Sequence, residues 1–377
     1  MKIAMLAPIT HRTPPAGYGP WEQVVANLTN GLVAQGHEVT LFGPAGSETG
    51  ADLVATVPNP LDDWPKADSP PDHRIWEEMH IATMAEQSAK GRFDLVHSHL
   101  HVHALGYAAL LPVPMVTTLH GAAWNGAIHP ALTHYRDLPF VSISHAERDI
   151  FPEIRYVATV YNGIDCDRFP PGEGRGGYLL FAGRMAPEKA PHLAIDVARR
   201  TGRQLKMAGM IEDRHRDYFE DQVRPWLDGT MVEYLGPLDR SALGTVYRDA
   251  AALLMPLRWP EPFGLVVAEA LASGTPVIGW RRGSLPELIR DGVTGAVVDD
   301  VAAAAAAVGR LDKLDREECR RDAVARLSIE AMTRGYVKVY RKLLETDGRL
   351  RKTDYTIASR SSSRATLATR TALSENP

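Results

Sequence analysis

The sequence has very little cysteine: Cys166 and Cys319 are the only two in 377 residues. One bridge at most can form, which excludes a disulfide-stapled scaffold and favours a reducing, cytoplasmic setting. There is no apolar run of membrane-spanning length, so no segment is expected to cross a bilayer. The opening "MKIAMLAPIT" has one lysine and too short an apolar stretch for a signal peptide, and residues 2–7 read as a first buried strand. An excess of charge of one sign is also missing. With 42 basic and 46 acidic residues the formal net charge is −4, so no broad basic field offers itself to nucleic acid or an anionic membrane. Nor does a G-x-G-x-x-G follow the first apolar run. The stretch "APITHRTPPAGYG" lacks that spacing, which removes the dinucleotide fingerprint of a dehydrogenase.

What is present is ordinary globular material, 45% hydrophobic and 23% charged, long enough for two domains. Short apolar runs alternate with helical patterns. The first half has "KIAMLA" (2–7), "EVTLFG" (38–43), "FDLVHS" (93–98), "PMVTTL" (114–119), "FVSIS" (140–144) and "YVATVY" (156–161), with helices expected over 21–35 and 73–90. The second half has "YLLFAG" (178–183), "QLKMAG" (204–209), "MVEYLG" (231–236), "ALLMPL" (252–257), "PVIGW" (276–280) and "GAVVD" (295–299). Helices are expected there over 187–200, 239–249, 263–273 and 301–310. Near-continuous apolar strands separated by helices predict parallel sheets covered on both faces.

Periodicity breaks in the Pro/Gly-rich "CDRFPPGEGRGG" (166–177). The expected plan is therefore α/β, with two doubly wound domains, 1–165 and 166–327. A helix over 328–347, carrying Met332, Tyr336 and Tyr340 four apart, is expected to return to the first domain. The Ser/Thr/Arg-rich tail 348–377 has the composition of a disordered segment. Residues 57–76 read as an irregular insert.

Ligands of open parallel sheets bind at the carboxyl ends of strands, so the loops there carry the chemistry. After "ALLMPL" comes "RWPEPFGLVVAEA" (258–270), where two prolines hold Glu261 in an extended loop. Gly264 then opens a helix whose first N–H groups form an anion site. Glu269 falls in the second turn, suited to a ribose diol. After "YLLFAG" comes "RMAPEKA", in which Arg184 and Lys189 flank a helix start favoured by Pro187. Two cations there conflict with the helix dipole unless an anion lies between them.

These residues resemble a family, the retaining family 4 (group 1) glycosyltransferases. The resemblance covers roughly residues 1–346 and rests on "EPFGLVVAEALASGTPVIGW" with its Glu-x7-Glu spacing, "FAGRMAPEKA", "VYNGIDCDRF" (160–169) and "GSLPELIRDGVTGAVVD" (283–299). It implies the GT-B fold, two Rossmann-like domains facing across a cleft, and transfer of a hexose from a nucleotide sugar to an acceptor hydroxyl. UDP-glucose is the default donor. The implied catalytic set is His120, Glu261, Arg184 and Lys189. The implied donor set is Gly17, Gly19, Arg184, Lys189, Phe263, Gly264, Leu265 and Glu269. Gly17 and Gly19 belong to "PPAGYGPWEQVV" (14–25), where Pro20 stands in place of the family's frequent second adjacent glycine. His120 is implied to meet the donor sugar and stabilise an oxocarbenium-like transition state. An epimerase on the same fold and a non-catalytic nucleotide-sugar binder are the alternative readings.

Two features look like metal sites. In "VHSHLHVH" (96–103) four histidines alternate. A strand ending near Ser98 and followed by a helix over "VHALGYAALL", with its apolar pattern from Leu105, would make them diverge, and no Cys pair, H-x3-H or nearby carboxylate completes a zinc set. His97 and His99 are instead expected at an acceptor-side rim with Trp124 and Asn125. Asp165-Cys166-Asp167 is a D-x-D, but it lies in the interdomain link and reads as structural. With Arg184, Lys189 and a helix N-terminus available to the diphosphate, neither a metal nor a cofactor is expected. No strongly basic amphipathic helix occurs in the first half, so a soluble or small-molecule acceptor is favoured over a membrane lipid.

Overall fold

The structure, a computed structural model, describes residues 1–64, 72–121 and 125–346. The tail 348–377, part of the 57–76 insert and Trp124 lie outside the described residues.

The first half runs β1 (Lys2–Leu6), α1 (Pro20–Ala34), β2 (Glu38–Pro44), β3 (Asp52–Val57), α2 (His73–Ala89), β4 (Leu95–Ser98), β5 (Met115–Thr118), α3 (His129–His134), β6 (Phe140–Ser142), α4 (His145–Ile150) and β7 (Tyr156–Thr159). Its strands form one parallel sheet in the order β3-β2-β1-β4-β5-β6-β7. The second half runs β8 (Leu179–Ala182), α5 (Pro191–Thr201), β9 (Leu205–Ala208), α6 (Arg216–Gln222), β10 (Val232–Gly236), α7 (Arg240–Asp249), β11 (Ala252–Met255), α8 (Leu265–Ala272), β12 (Val277–Trp280), α9 (Leu285–Leu288), β13 (Gly295–Val298), α10 (Val301–Val308) and α11 (Arg316–Leu327). Its parallel sheet has the order β10-β9-β8-β11-β12-β13.

Each strand order reverses once, between β1 and β4 and between β8 and β11. Crevices open at such reversals, at the carboxyl ends of the strands. The loops after β1, β4, β8 and β11 are those that the sequence motifs occupy. The central strands read as unbroken apolar runs because they are covered on both faces: every residue of β8, β11 and β12 is buried.

The chain returns to its first half at a bridge between Ile164 and Ser328. Helix 329–346 then packs Met332, Tyr336, Tyr340 and Leu343 into the core of the first sheet, against Ile3, Met5, Val24 and Leu28. Two local expectations are corrected. The helix expected from Pro187 begins at Pro191, because Ala190 takes a left-handed conformation (φ 51°) and Pro191 fits the first helical position. The helix expected after His103 is a short 3-10 turn, Leu105–Leu110.

Candidate active site

The loop between β11 and α8 is shaped by the start of the "GSLPELIRDGVTGAVVD" run (283–299), a motif to which the sequence reading gave no role in the site. Gly283 has φ 53°, and a Cβ there would stand 2.2 Å from the Glu261 carbonyl oxygen, so only glycine lets the two segments touch. Beside it the Ser284 N–H donates to the Glu261 carbonyl (2.9 Å), and the Ser284 hydroxyl donates to that of Phe263 (2.7 Å). The Glu261 carboxylate, thus fixed, accepts from Lys189 Nζ and from Trp259 Nε1 (3.0 Å). Lys189 Nζ also lies 5.0 Å from the centre of the Trp259 ring. Gly264, with φ 82°, precedes the first turn of α8 as expected. Phe263 is buried, and Leu265 packs against the cores of both domains. The side chains of these two residues are thus packing groups. Glu269 accepts from the Tyr247 hydroxyl (3.1 Å); burial raises its pKa, against the pull of Tyr247 and Arg240.

The β8 loop corrects the expectation of two cations lacking an anion. Arg184 donates to Glu212 (2.8 Å) and pairs with Glu188 (3.0 Å), while Lys189 pairs with Glu261. Carboxylates therefore already balance both cations. Glu212 also pairs with Arg214 (3.0 Å) and lies 3.6 Å from His215. The sequence held no local sign of this, because Glu212 reaches Arg184 from the loop after β9.

On the facing domain, Gly17 borders open space, whereas a Cβ on Gly19 would meet Pro15 at 2.7 Å. Between them Tyr18 is 57% exposed and feels the charges of Arg184, Glu261 and Glu212. The glycine loop thus faces the donor-side cluster. The turn after β5 does so too: His120 and Gly121 are both left-handed (φ 51° and 85°), and a Cβ on Gly121 would stand 2.6 Å from Pro262.

His97 and His99 are not at an accessible rim; both are fully buried. His97 Nδ1 bonds the Tyr340 hydroxyl (2.7 Å) and its Nε2 bonds Thr118 Oγ1 (2.9 Å), so its ring docks helix 329–346 onto the sheet. His99 lies tilted against His97 (4.1 Å between centroids, 42° between planes), and its Nδ1 shares a hydrogen bond of 2.7 Å with His120 Nε2. Only the outer pair diverges, His101 to the edge of Trp21 and His103 to Glu77. Burial holds His97, His99 and His120 neutral by pushing their pKa values down, that of His97 to about 3. Among the described residues no three His, Cys, Asp or Glu side chains converge as a ligand set. Asn125 accepts from Ala127 N–H (3.1 Å), capping an exposed turn. Asp165 caps the turn Cys166–Arg168, and Asp167 pairs with Arg320, so the D-x-D is structural.

Two family models match in tandem: "Glycosyltransferase Family 4" over residues 21–168 and "Glycosyl transferases group 1" over 167–331. The chain belongs to the family 4, group 1 glycosyltransferases. A glycogen synthase of Mycobacterium tuberculosis is 29% identical over 358 residues, covering 82% of this chain and 85% of the relative. A D-inositol 3-phosphate glycosyltransferase of Mycobacterium leprae is 30% identical over 246 residues, covering 55% of this chain and 57% of the relative. Among solved structures, the glycosyltransferase AviGT4, involved in avilamycin A biosynthesis, superposes with a TM-score of 0.68 at 25% identity, covering 92% of this chain and 98% of that one. The glycosyltransferase described here has the GT-B architecture and is a nucleotide-sugar transferase. None of its helices, among the described residues, is long and apolar enough to cross a membrane.

Proposed function

We propose that the enzyme transfers a hexosyl group, with UDP-glucose the first donor to test, to an acceptor hydroxyl, with retention of the α linkage and without metal or cofactor. Arg184 and Lys189 hold the diphosphate, with Gly17 and Gly19 approaching it from the other domain. Glu269 takes the ribose through the carboxylate oxygen that Tyr247 leaves unused, and Glu261 orients the sugar hydroxyls. His120 meets the sugar from the first domain. The bond from the anomeric carbon to the leaving phosphate breaks as the acceptor oxygen attacks the same face, and the acceptor's proton passes to that phosphate. Charge developing on the phosphate is met by fixed cations, which need no reorganisation. The acceptor is a soluble molecule entering on the first domain's side, and the two buried free cysteines suit a cytoplasmic enzyme.

The observation that supports this best is the meeting of Lys189, Trp259 and Glu261 in one hydrogen-bonded cluster, with Pro262 of the same loop packed on Gly121 beside His120. The test is incubation with UDP-glucose, GDP-mannose and other nucleotide sugars, with and without acceptors, in excess EDTA. Free nucleotide and an α-glycoside are expected, the anomer being read from the first-formed product by proton NMR. A β product from an α donor refutes retention, and activity abolished by EDTA refutes metal independence.

A further inference from the structure

The turn that carries His120 is costly. Two consecutive residues are left-handed, and for His120, which has a Cβ, that conformation is strained. Such a turn persists only if its surroundings over-determine it. The ring of His120 is held by His99, and Gly121 is covered by Pro262. The third hold is a carboxylate. Glu147, in α4, is fully buried, and among the described residues its hydrogen-bond partners include no Lys or Arg. One of its oxygens accepts the Gly121 N–H and the other the Ile143 N–H (2.8 Å). Ser144 and Glu147 have the spacing of a capping box, and the Ser144 hydroxyl does accept the Glu147 N–H (3.0 Å). The glutamate, however, reaches beyond its own helix to tie the ends of β5 and β6 together. A buried carboxylate without a countercharge is expensive. A cap alone would be met by an exposed side chain at less cost.

We propose that Glu147 is a positioning residue for sugar transfer, its ionised carboxylate holding the Gly121 N–H and so setting the place of His120 against the donor loop. The proposal rests on the role given to His120 above. The anion offers an acceptor to both N–H groups. The neutral acid has one good acceptor oxygen and one hydroxyl, so one of the two amides loses its partner. Burial raises the pKa of Glu147 to about 7, which puts this change within the working range. Burial pushes the phenols of Tyr156 (β7) and Tyr336 (helix 329–346) well up, and holds His120 neutral. Arg148 lies on α4 itself, and Glu287 of the second domain sits at the start of α4, accepting from the N–H groups of His145 and Ala146.

The test joins a spectroscopic readout to a kinetic one. In the wild type, the amide protons of Gly121 and Ile143 should titrate together with a midpoint near pH 7, and kcat for nucleotide release from UDP-glucose should fall on the acid side with the same midpoint. E147Q places an amide nitrogen against one N–H at every pH. It should abolish both titrations and lower kcat by roughly 10- to 100-fold, the scale of an ångström-sized misplacement, with donor KM within about twofold. A lesser role in folding alone would reduce the active fraction and leave the pH midpoint in place. Wild-type amides that do not titrate overturn the proposal even if E147Q is too unstable to assay. Amides that titrate while kcat keeps a flat profile overturn it as well. Should UDP-glucose and its analogues give no turnover in the wild type, the donor reading fails, and the amide titration still decides the Glu147 contact.

Discussion

Lys189 answers to two anions. In the structure it is spent on Glu261 and lies over the Trp259 ring; in the proposed reaction it must also meet a diphosphate. An ammonium has three donors, so the carboxylate and a phosphate oxygen can share it without either leaving. Lys189 then couples the sugar-orienting carboxylate to the leaving group. Lys189→Ala removes a charge stabiliser and also leaves the buried Glu261 carboxylate without its cation. We expect turnover to fall by roughly 10²–10³-fold. Glu269→Ala should differ, because the ribose is held alike in ground and transition states: donor KM rises while kcat stays nearly constant. Steady-state kinetics with varied donor check both. A Glu269→Ala enzyme with reduced kcat and unchanged KM would show the two carboxylate roles to be wrongly assigned. These residues were legible as candidates because each lies in, or one helical turn beyond, a single strand-end loop whose residue types suggest an anion or a diol. Glu212 and Glu147 were not. Their partners Arg184 and Gly121 lie 28 and 26 residues away, and nothing near either glutamate in sequence marks the pairing.

At the scale of elements, the alternation of apolar runs predicts the two parallel sheets, and β4 is a case where the same pattern misleads. Alternating histidines read as a rim because a strand end near a cleft is normally wet. Helix 329–346 lies across that end and dries it, through Tyr336, Tyr340, His97 and Thr118. The consequence is acid sensitivity. His80 and His101 are held down to about 4 and His97 to about 3, chiefly by burial, and His99 and His120 also lie well below the usual value. In the unfolded chain all five bind protons near pH 6.5. The unfolded state therefore holds more protons between about pH 6.5 and 4, so stability is present above 6.5 and lost as pH falls. Glu147 acts in the opposite sense, since its raised pKa gives the folded state the extra proton between about 4.5 and 7. Glu22 and Glu269, also raised by burial, act with Glu147, and the five histidines still outnumber these carboxyls, so on balance unfolding takes up protons and stability falls as pH drops below about 6.5. Calorimetry from pH 7.5 down to 5 should show the first domain's transition falling steeply. A transition that holds its temperature down to pH 5 would mean that these imidazoles are not buried and neutral.

For the whole molecule, the question is what sets one domain against the other, and Glu287 is well placed to do it. It belongs to α9 of the second domain, three residues past the Ser284 that holds the Glu261 loop. Its carboxylate accepts the N–H groups of His145 (2.8 Å) and Ala146 (2.7 Å) and the Tyr161 hydroxyl (3.0 Å). A side chain of one domain thus caps a helix of the other, and that helix carries Glu147 and through it the His120 turn. Donor loop and histidine turn are joined by a short run of hydrogen bonds around the back of the cleft, besides the direct contact of Pro262 with Gly121. Loss of a charged cap costs about 1–2 kcal/mol, and 1.4 kcal/mol is a tenfold shift in an equilibrium between domain arrangements. We therefore expect Glu287→Ala to lower kcat/KM for the donor about tenfold and to enlarge the radius of gyration of the donor-free enzyme in small-angle scattering. Saturating nucleotide should draw the variant back toward the wild-type value, because ligand contacts made by both domains favour the closed arrangement. A purely catalytic loss would leave the scattering unchanged. If Glu287→Ala matches the wild type in both scattering and kcat/KM, the tie across the hinge is incidental, and the contact of Gly121 with Pro262 is what registers the two domains.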